Sequence, residues 1–254
     1  MNLTIPVLLT IAFTLYPVPG LFAQVPADEI AALKARETAL SESLKATPSS
    51  VQTLSNRGDI RQFMGQFADA VSDFERMIAL DPTQDAPHWR LGIAYYFAGS
   101  YQKAARQFEK YHAFDGRDRE NGVWKFMSQA KGEGLEAARK EMLSYERFDR
   151  EPFPALYDMF AGKITPEEVI KHITSNHLEE QKQVVFFAKY YVGVYLTLTG
   201  QTAKGLAYIN ESVALFTPAT AGQGGPGYMW QVARLHAGIL KSESVPQPDA
   251  KTPQ

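Results

Sequence analysis

Two stretches of this chain carry the same residues in the same order about 34 positions apart. Leu54, Gly58, Gly65, Ala70, Phe74 and Pro82 run through the first, and Leu91, Gly92, Tyr95, Gly99, Ala104 and Phe108 through the second. Gly58 matches Gly92, Gly65 matches Gly99, Ala70 matches Ala104 and Phe74 matches Phe108 at one period. The spacing predicts a repeated helix-turn-helix unit. Gly58 and Ala70 are small because two antiparallel helices must approach to roughly 8–10 Å. Phe74 and Phe108 fill the space between neighbouring pairs, and Gly65 and Gly99 sit at turns where a residue without Cβ accepts positive φ. Such a unit cannot bury its apolar face alone, so the pattern commits the chain to an all-α solenoid.

The period then organises the rest of the chain. Ala27 to Ala46, with Ile30, Leu33, Leu40 and Leu44 among charges, predicts a leading helix within residues 24–50. Thr47-Pro48-Ser49-Ser50 breaks it and offers serines as caps, so the repeats begin near Val51. A third, degenerate unit starts near Arg119, where Ala138 keeps the small-residue register but Phe126 stands for the glycine and Met142 for the aromatic. Residues 51–150 are thus three repeats. Residues 151–185 lose the period and read as an irregular helical insert. It holds a short aromatic helix at Pro154 to Phe160, a stop at Gly162, and a helix entered through Thr165-Pro166-Glu167-Glu168 with Thr165 as cap. The pattern returns in residues 186–240, where Gly193, Leu196, Gly200, Gly205 and Ile209 form a late repeat with Gly205 in place of alanine. Ala221 to Gly227 reads as a loop, Tyr228 to Leu240 as the helix that caps the stack, and residues 241–254 as a disordered tail.

Asn56, Gly58, Tyr95, Gly99, Ala104 and Phe108 resemble the tetratricopeptide repeat (TPR) over Val51 to Asp115. The whole layout is similar to the NlpI-type family of bacterial envelope proteins. The similarity is carried by Trp124 to Phe126, by Tyr157-Asp158-Met159-Phe160-Ala161-Gly162-Lys163-Ile164, and by Tyr190-Tyr191-Val192-Gly193 through Gly200. This resemblance implies a TPR solenoid acting as an adaptor that holds envelope hydrolases or a protease, often as a homodimer. Its best-known members are lipoproteins anchored through an N-terminal cysteine. This chain contains no cysteine.

Met1 to Tyr16 is almost wholly apolar and is followed by Pro17, Pro19 and Gly20, the layout of a secretory signal peptide over residues 1–23. Leu21-Phe22-Ala23 sets cleavage between Ala23 and Gln24, with an uncleaved anchor as the alternative. The expectation is an exported protein, periplasmic or secreted, with no membrane anchor after cleavage. Without cysteine there is no disulfide, thiolate metal site or thiol nucleophile. A formal net charge of −2 provides no basic surface for nucleic acid.

The concave surface of such repeats is lined by the fifth, ninth, twelfth and thirteenth positions of each first helix. These are Ser55, Asp59, Gln62 and Phe63, then Trp89, Ile93, Tyr96 and Phe97. The second set is strongly apolar and suits an amphipathic helix or an extended apolar peptide. The alternative is that these aromatics pack against the leading helix or the C-terminal cap. Arg90 beside Asn56 offers a grip for a peptide carboxylate. The expected partner-binding groove is accordingly Asn56, Asp59, Phe63, Trp89, Arg90, Ile93, Tyr96 and Phe97, and the expected partners are proteins or peptides.

Chemistry finds little support. His172 and His177 are five apart and face different sides of a helix. Glu167-Glu168 serves a helix start and Glu179-Glu180 a solvated face. Gln223-Gly224-Gly225-Pro226-Gly227 lacks the Lys-Ser/Thr of a phosphate loop. No catalytic residue, metal or cofactor is expected. The function read from the sequence is a non-catalytic scaffold of the cell envelope. Its alternatives are a repeat domain used mainly for homodimerisation and a hydrolase without a recognisable motif.

Overall fold

The computed structural model describes residues 27–244. The signal peptide, its cleavage point and the end of the tail lie outside them. The described residues form an all-α solenoid: α1 (Ala27–Ala46), α2 (Val51–Phe63), α3 (Phe67–Leu80), α4 (Trp89–Phe97), α5 (Tyr101–Phe114), α6 (Arg119–Glu133), α7 (Leu135–Lys140), α8 (Phe153–Phe160), α9 (Pro166–Ser175), α10 (Lys182–Leu198), α11 (Thr202–Val213), α12 (Pro218–Gly222) and α13 (Gly227–Glu243). Each helix packs chiefly on its sequence neighbours through α7, and α10 pairs with α11. The third unit is stunted, because α7 ends after six residues and gives way to irregular chain. At the other end α13 continues to Glu243, three residues past Leu240, where the sequence suggested a stop.

The repeat glycines act by two mechanisms. A Cβ on Gly92 would lie 2.6 Å from the Phe108 ring, and one on Gly58 would run into Phe74. These glycines let the second helix press an aromatic ring onto the first. Gly65, Gly99 and Gly200 instead hold φ of +71°, +73° and +86° in the turns of their helix pairs. In α10 and α11 the approach is tighter. A Cβ on Gly193 would lie 2.7 Å from the Gly205 carbonyl, and one on Gly205 2.5 Å from the Gly193 carbonyl, so backbone meets backbone. That is why Gly205 replaces the alanine of the other units.

Polar networks fix the flanking elements. Asp73 of α3 is buried and accepts from Arg57 (2.6 and 2.8 Å) and from Arg61 (2.8 Å). Arg61 also binds Glu37 (3.0 Å) and Arg57 also binds Ser41 (3.0 Å), which ties α1 to the first repeat. Just before the insert, Arg150 donates to Glu120 (2.6 Å) and, at 3.4 Å each, to Asp118 and Asp149, while its guanidinium lies 4.3 Å from the centre of the Phe153 ring. Tyr191 of α10 donates to Glu120 (2.6 Å) and accepts from the Trp124 indole (2.9 Å). α9 starts with the expected capping box: Thr165 Oγ1 accepts from the Glu168 N–H, and Glu168 accepts from the Thr165 N–H at 2.7 Å.

Candidate functional site

The concave face is built by α2 and α4. Ser50 caps α2, its hydroxyl accepting from the Thr53 N–H. His88 caps α4 through Nδ1, which accepts from the Leu91 N–H at 3.2 Å. That role needs a neutral imidazole, and burial holds His88 down to about 4. With both starts fixed, helical spacing turns Asp59 and Phe63 from α2, and Trp89, Ile93, Tyr96 and Phe97 from α4, towards one side. Asn56 does not join them. It is exposed and accepts from Gln52 at 2.8 Å on its own helix. Arg90 makes no hydrogen bond to Asn56. It donates to Asp59 and, at 3.0 Å, to Ser55, so it is bound within the face and is not an open grip for a carboxylate. Asn56 follows Ser55, which does face Arg90, by one residue, and that step of about 100° around the helix rotates it out of the face.

The face they line is covered by the chain itself. α13 lies on it and sets Tyr228 between Phe63 and Trp89, with ring centroids 4.9 Å from each. Further along, the His236 ring packs edge-on against Phe97 at 5.4 Å and Tyr96 at 6.2 Å, and meets the Tyr190 hydroxyl at 3.3 Å. Burial holds His236 down to about 3, so it is seated as a neutral ring. Ile93 is 0% and Tyr96 4% exposed. Arg234 reaches across to Glu29 of α1 at 2.6 Å and lies over the Trp230 ring at 5.1 Å. The aromatic groove is thus occupied by a helix in cis, the arrangement in which these rings pack against the C-terminal cap. Nothing in the repeat period says which of two apolar faces will find the other, which is why the sequence left both arrangements open.

Polar groups remain uncompensated at one end of the seat. The Tyr228 hydroxyl and Asp59 Oδ1 are buried without a hydrogen-bond partner. Burial pushes the Asp59 carboxyl up to about 6 against the pull of Arg90, and raises Tyr228 well above its ordinary value. A small cleft of about 260 Å³ opens beside them, between Asp59, Phe63, Tyr228, Trp230 and the α12 turn.

The larger concavities lie elsewhere, along the insert. One of about 570 Å³ and one of about 470 Å³ adjoin and share Arg139, Ala161 and Lys163. Their walls come from α6, α7, the irregular chain after α7, α8 with the turn into α9, and α10. Gly122 of α6 makes room for two tyrosines, since a Cβ there would lie 2.5 Å from the Tyr145 hydroxyl and 2.8 Å from the Tyr157 ring. Those rings meet edge to face at 5.0 Å. The Tyr157 hydroxyl donates to the Leu143 carbonyl (2.8 Å) and that of Tyr145 to the Asp118 carbonyl (3.2 Å). Arg119 lies over Tyr145 at 5.0 Å. Arg139 donates to the Tyr195 hydroxyl (3.3 Å) and to Glu136 (3.0 Å), and Lys163 to Asp158 (2.9 Å). Sequence reasoning missed this cleft because its residues come from five separated segments with no shared spacing.

The remaining sequence candidates stand apart from both places. His172 binds Glu151 at 3.0 Å, Glu167 pairs with Lys204 at 2.8 Å, and Glu179 and Glu180 are exposed. Among the described residues, no three His, Cys, Asp or Glu are placed to hold a metal ion. No helix among them is long and apolar enough to cross a membrane. No protein-family model matches the chain.

Proposed function

We propose that this protein is a non-catalytic protein-interaction scaffold of the cell envelope, a TPR-type solenoid similar to the NlpI-type adaptors. Its concave groove is spent on its own C-terminal helix, and its partners dock in the cleft of the insert. One observation carries this reading: the cleft combines the Tyr145, Tyr157 and Tyr195 rings with Arg119 and Arg139 in adjoining hollows of about 570 and 470 Å³. Tyrosine and arginine are the side chains that dominate protein interfaces, since each supplies a large contact area and a polar end. Location in the envelope rests on the apolar leader at Met1 to Tyr16.

Affinity capture from envelope extracts, with mass-spectrometric identification, tests it. Ala161 lines both hollows, so Ala161→Phe fills the cleft whatever the chemistry of its occupant. The expected result is a reproducible set of envelope proteins captured by the parent chain and lost with a folded Ala161→Phe variant. An identical set with both proteins, or none with the parent, overturns the reading. Homodimerisation is the second reading, favoured by Phe114 and Phe148, which are 63% and 76% exposed. A sedimentation coefficient that falls for Phe148→Ser would favour it.

A further inference from the structure

The irregular chain after α7 borders the insert cleft through Leu143, Ser144 and Tyr145, and its backbone donors are unused within the protein. Among the described residues, no backbone N–H from Leu143 through Asp149 donates to another group of the protein. Most backbone amides of a folded chain are paired, and a run of unpaired ones along a concavity is a template for an added strand. The segment is also held in place. Arg119 donates to the Arg147 carbonyl at 2.8 Å, Tyr157 to that of Leu143, and the Arg119 N–H to Asp149 at 2.7 Å. Its conformation is therefore set before any ligand arrives, which lowers the ordering cost of binding.

The charges around it have a sign. Arg119, Arg139 and Lys163 border the cleft against two carboxylates, Glu136 and Asp158. Both carboxylates sit in exposed pairs: the Glu136 side chain is 81% exposed and that of Lys163 69%. Exposed pairs of this kind contribute about 0–1 kcal/mol, so an incoming carboxylate exchanges with them at little cost. The tyrosine rings accept apolar side chains between the charges.

Building on the scaffold reading above, we infer that the insert cleft binds an extended acidic peptide segment. The peptide's backbone carbonyls pair with amides of Leu143 to Tyr145, its carboxylates meet Arg119, Arg139 and Lys163, and its apolar side chains lie on Tyr145 and Tyr157. A single phosphate or carboxylate would use the cations but leave the row of amides unpaired.

Fluorescence anisotropy of the full chain with three labelled octapeptides tests this. One alternates Glu and Val, one alternates Lys and Val, and one is the Glu-Val peptide N-methylated at alternate residues. The Glu-Val peptide should bind, and the other two should bind at least about tenfold more weakly. Arg139→Gln with Lys163→Gln should weaken the Glu-Val peptide by about tenfold and remove most of its salt dependence. If the double variant does not fold, Lys163→Gln alone, at an exposed side chain, should still give a measurable loss. The inference is overturned if all three peptides bind alike, if the N-methylated peptide matches its parent, or if the Glu-Val peptide does not bind. It is also overturned if the cleft is covered only by self-association, seen as a sedimentation coefficient rising with concentration. Loss of envelope capture in Ala161→Phe without Glu-Val binding would remove the acidic-peptide assignment and leave the scaffold reading standing.

Discussion

The Tyr228 ring meets the Trp89 indole edge to face at 4.9 Å, so the last helix is anchored on the first turn of the fourth. The contact joins residues far apart in sequence and closes the concave face. Tyr228→Ala removes an aromatic ring held between two others and should destabilise the fold by about 3 kcal/mol. Tyr228→Phe keeps the ring and deletes a buried hydroxyl that has no partner, so it should be neutral or stabilising by up to about 1 kcal/mol. Urea unfolding separates the two. Equal losses in both variants would mean that the hydroxyl, and not the ring, holds the helix.

Glu120 sets a pH dependence. Burial pushes its carboxyl up to about 7 from an ordinary 4.5, against the pull of Arg150 and the Tyr191 hydroxyl. A carboxyl with a higher pKa when folded binds its proton more tightly in the native state. Stability from this group is therefore full below about 4.5 and is lost as pH rises towards 7, at up to about 1.4 kcal/mol per unit. Asp59, raised from 3.8 to about 6, acts in the same sense. Glu120→Gln cannot ionise. Relative to the parent chain it should gain on the order of 2 kcal/mol between pH 5 and pH 8, read from urea midpoints at the two pH values. Parallel curves would show that Glu120 is ionised throughout.

Gly193 and Gly205 should be the least replaceable glycines of the repeats. Alanine at either position drives a methyl into a facing backbone carbonyl, and backbone does not rotate out of the way. Each substitution should cost about 3 kcal/mol or more. At Gly99, where a methyl would meet nothing within 4 Å and only the φ of +73° is at issue, alanine should cost about 1–2 kcal/mol. Thermal unfolding of the three variants gives the order directly.

Asp73 is the shared acceptor of two arginines, so Asp73→Ala leaves Arg57 without a carboxylate and Arg61 with Glu37 alone, and should cost about 3 kcal/mol. Arg61 and Arg57 also bind Glu37 and Ser41 of α1, and the loss should appear as faster hydrogen exchange in α1. Unchanged α1 protection would mean that the buried Leu33 and Leu44 and the Glu29–Arg234 pair hold it without this network.

The helix pairs were legible because the constraint on each is local. A glycine and the aromatic that packs on it lie within one hairpin, as Gly58 and Phe74 or Gly92 and Phe108 do, and the turn glycines fall at the same period. The Thr165 capping box was legible for the same reason, being complete within four residues. The groove residues were named by position, and Phe63, Trp89, Ile93, Tyr96 and Phe97 do meet on one face. Asn56 was misplaced by a fraction of a turn, and the cover over the face could not be read because apolar periodicity carries no address. The insert cleft was illegible altogether. Its arginines and tyrosines are brought together by the stunting of α7 and the irregular chain that follows, and neither leaves a spacing in the sequence.

The Glu29 carboxylate and the Arg234 guanidinium, 2.6 Å apart, form an ion pair that links the opening helix α1 to the closing helix α13. An open array of repeats frays from its ends, because each unit answers only to its neighbours and partial unwinding is cheap there. A strap between first and last helices removes both free ends at once. Unravelling from either side must first break the strap, so the molecule should come apart as a whole. During synthesis, when α13 is the last of these elements to leave the ribosome, every earlier unit must wait with its aromatic face bare, exposed to chaperones until the final turn of chain arrives.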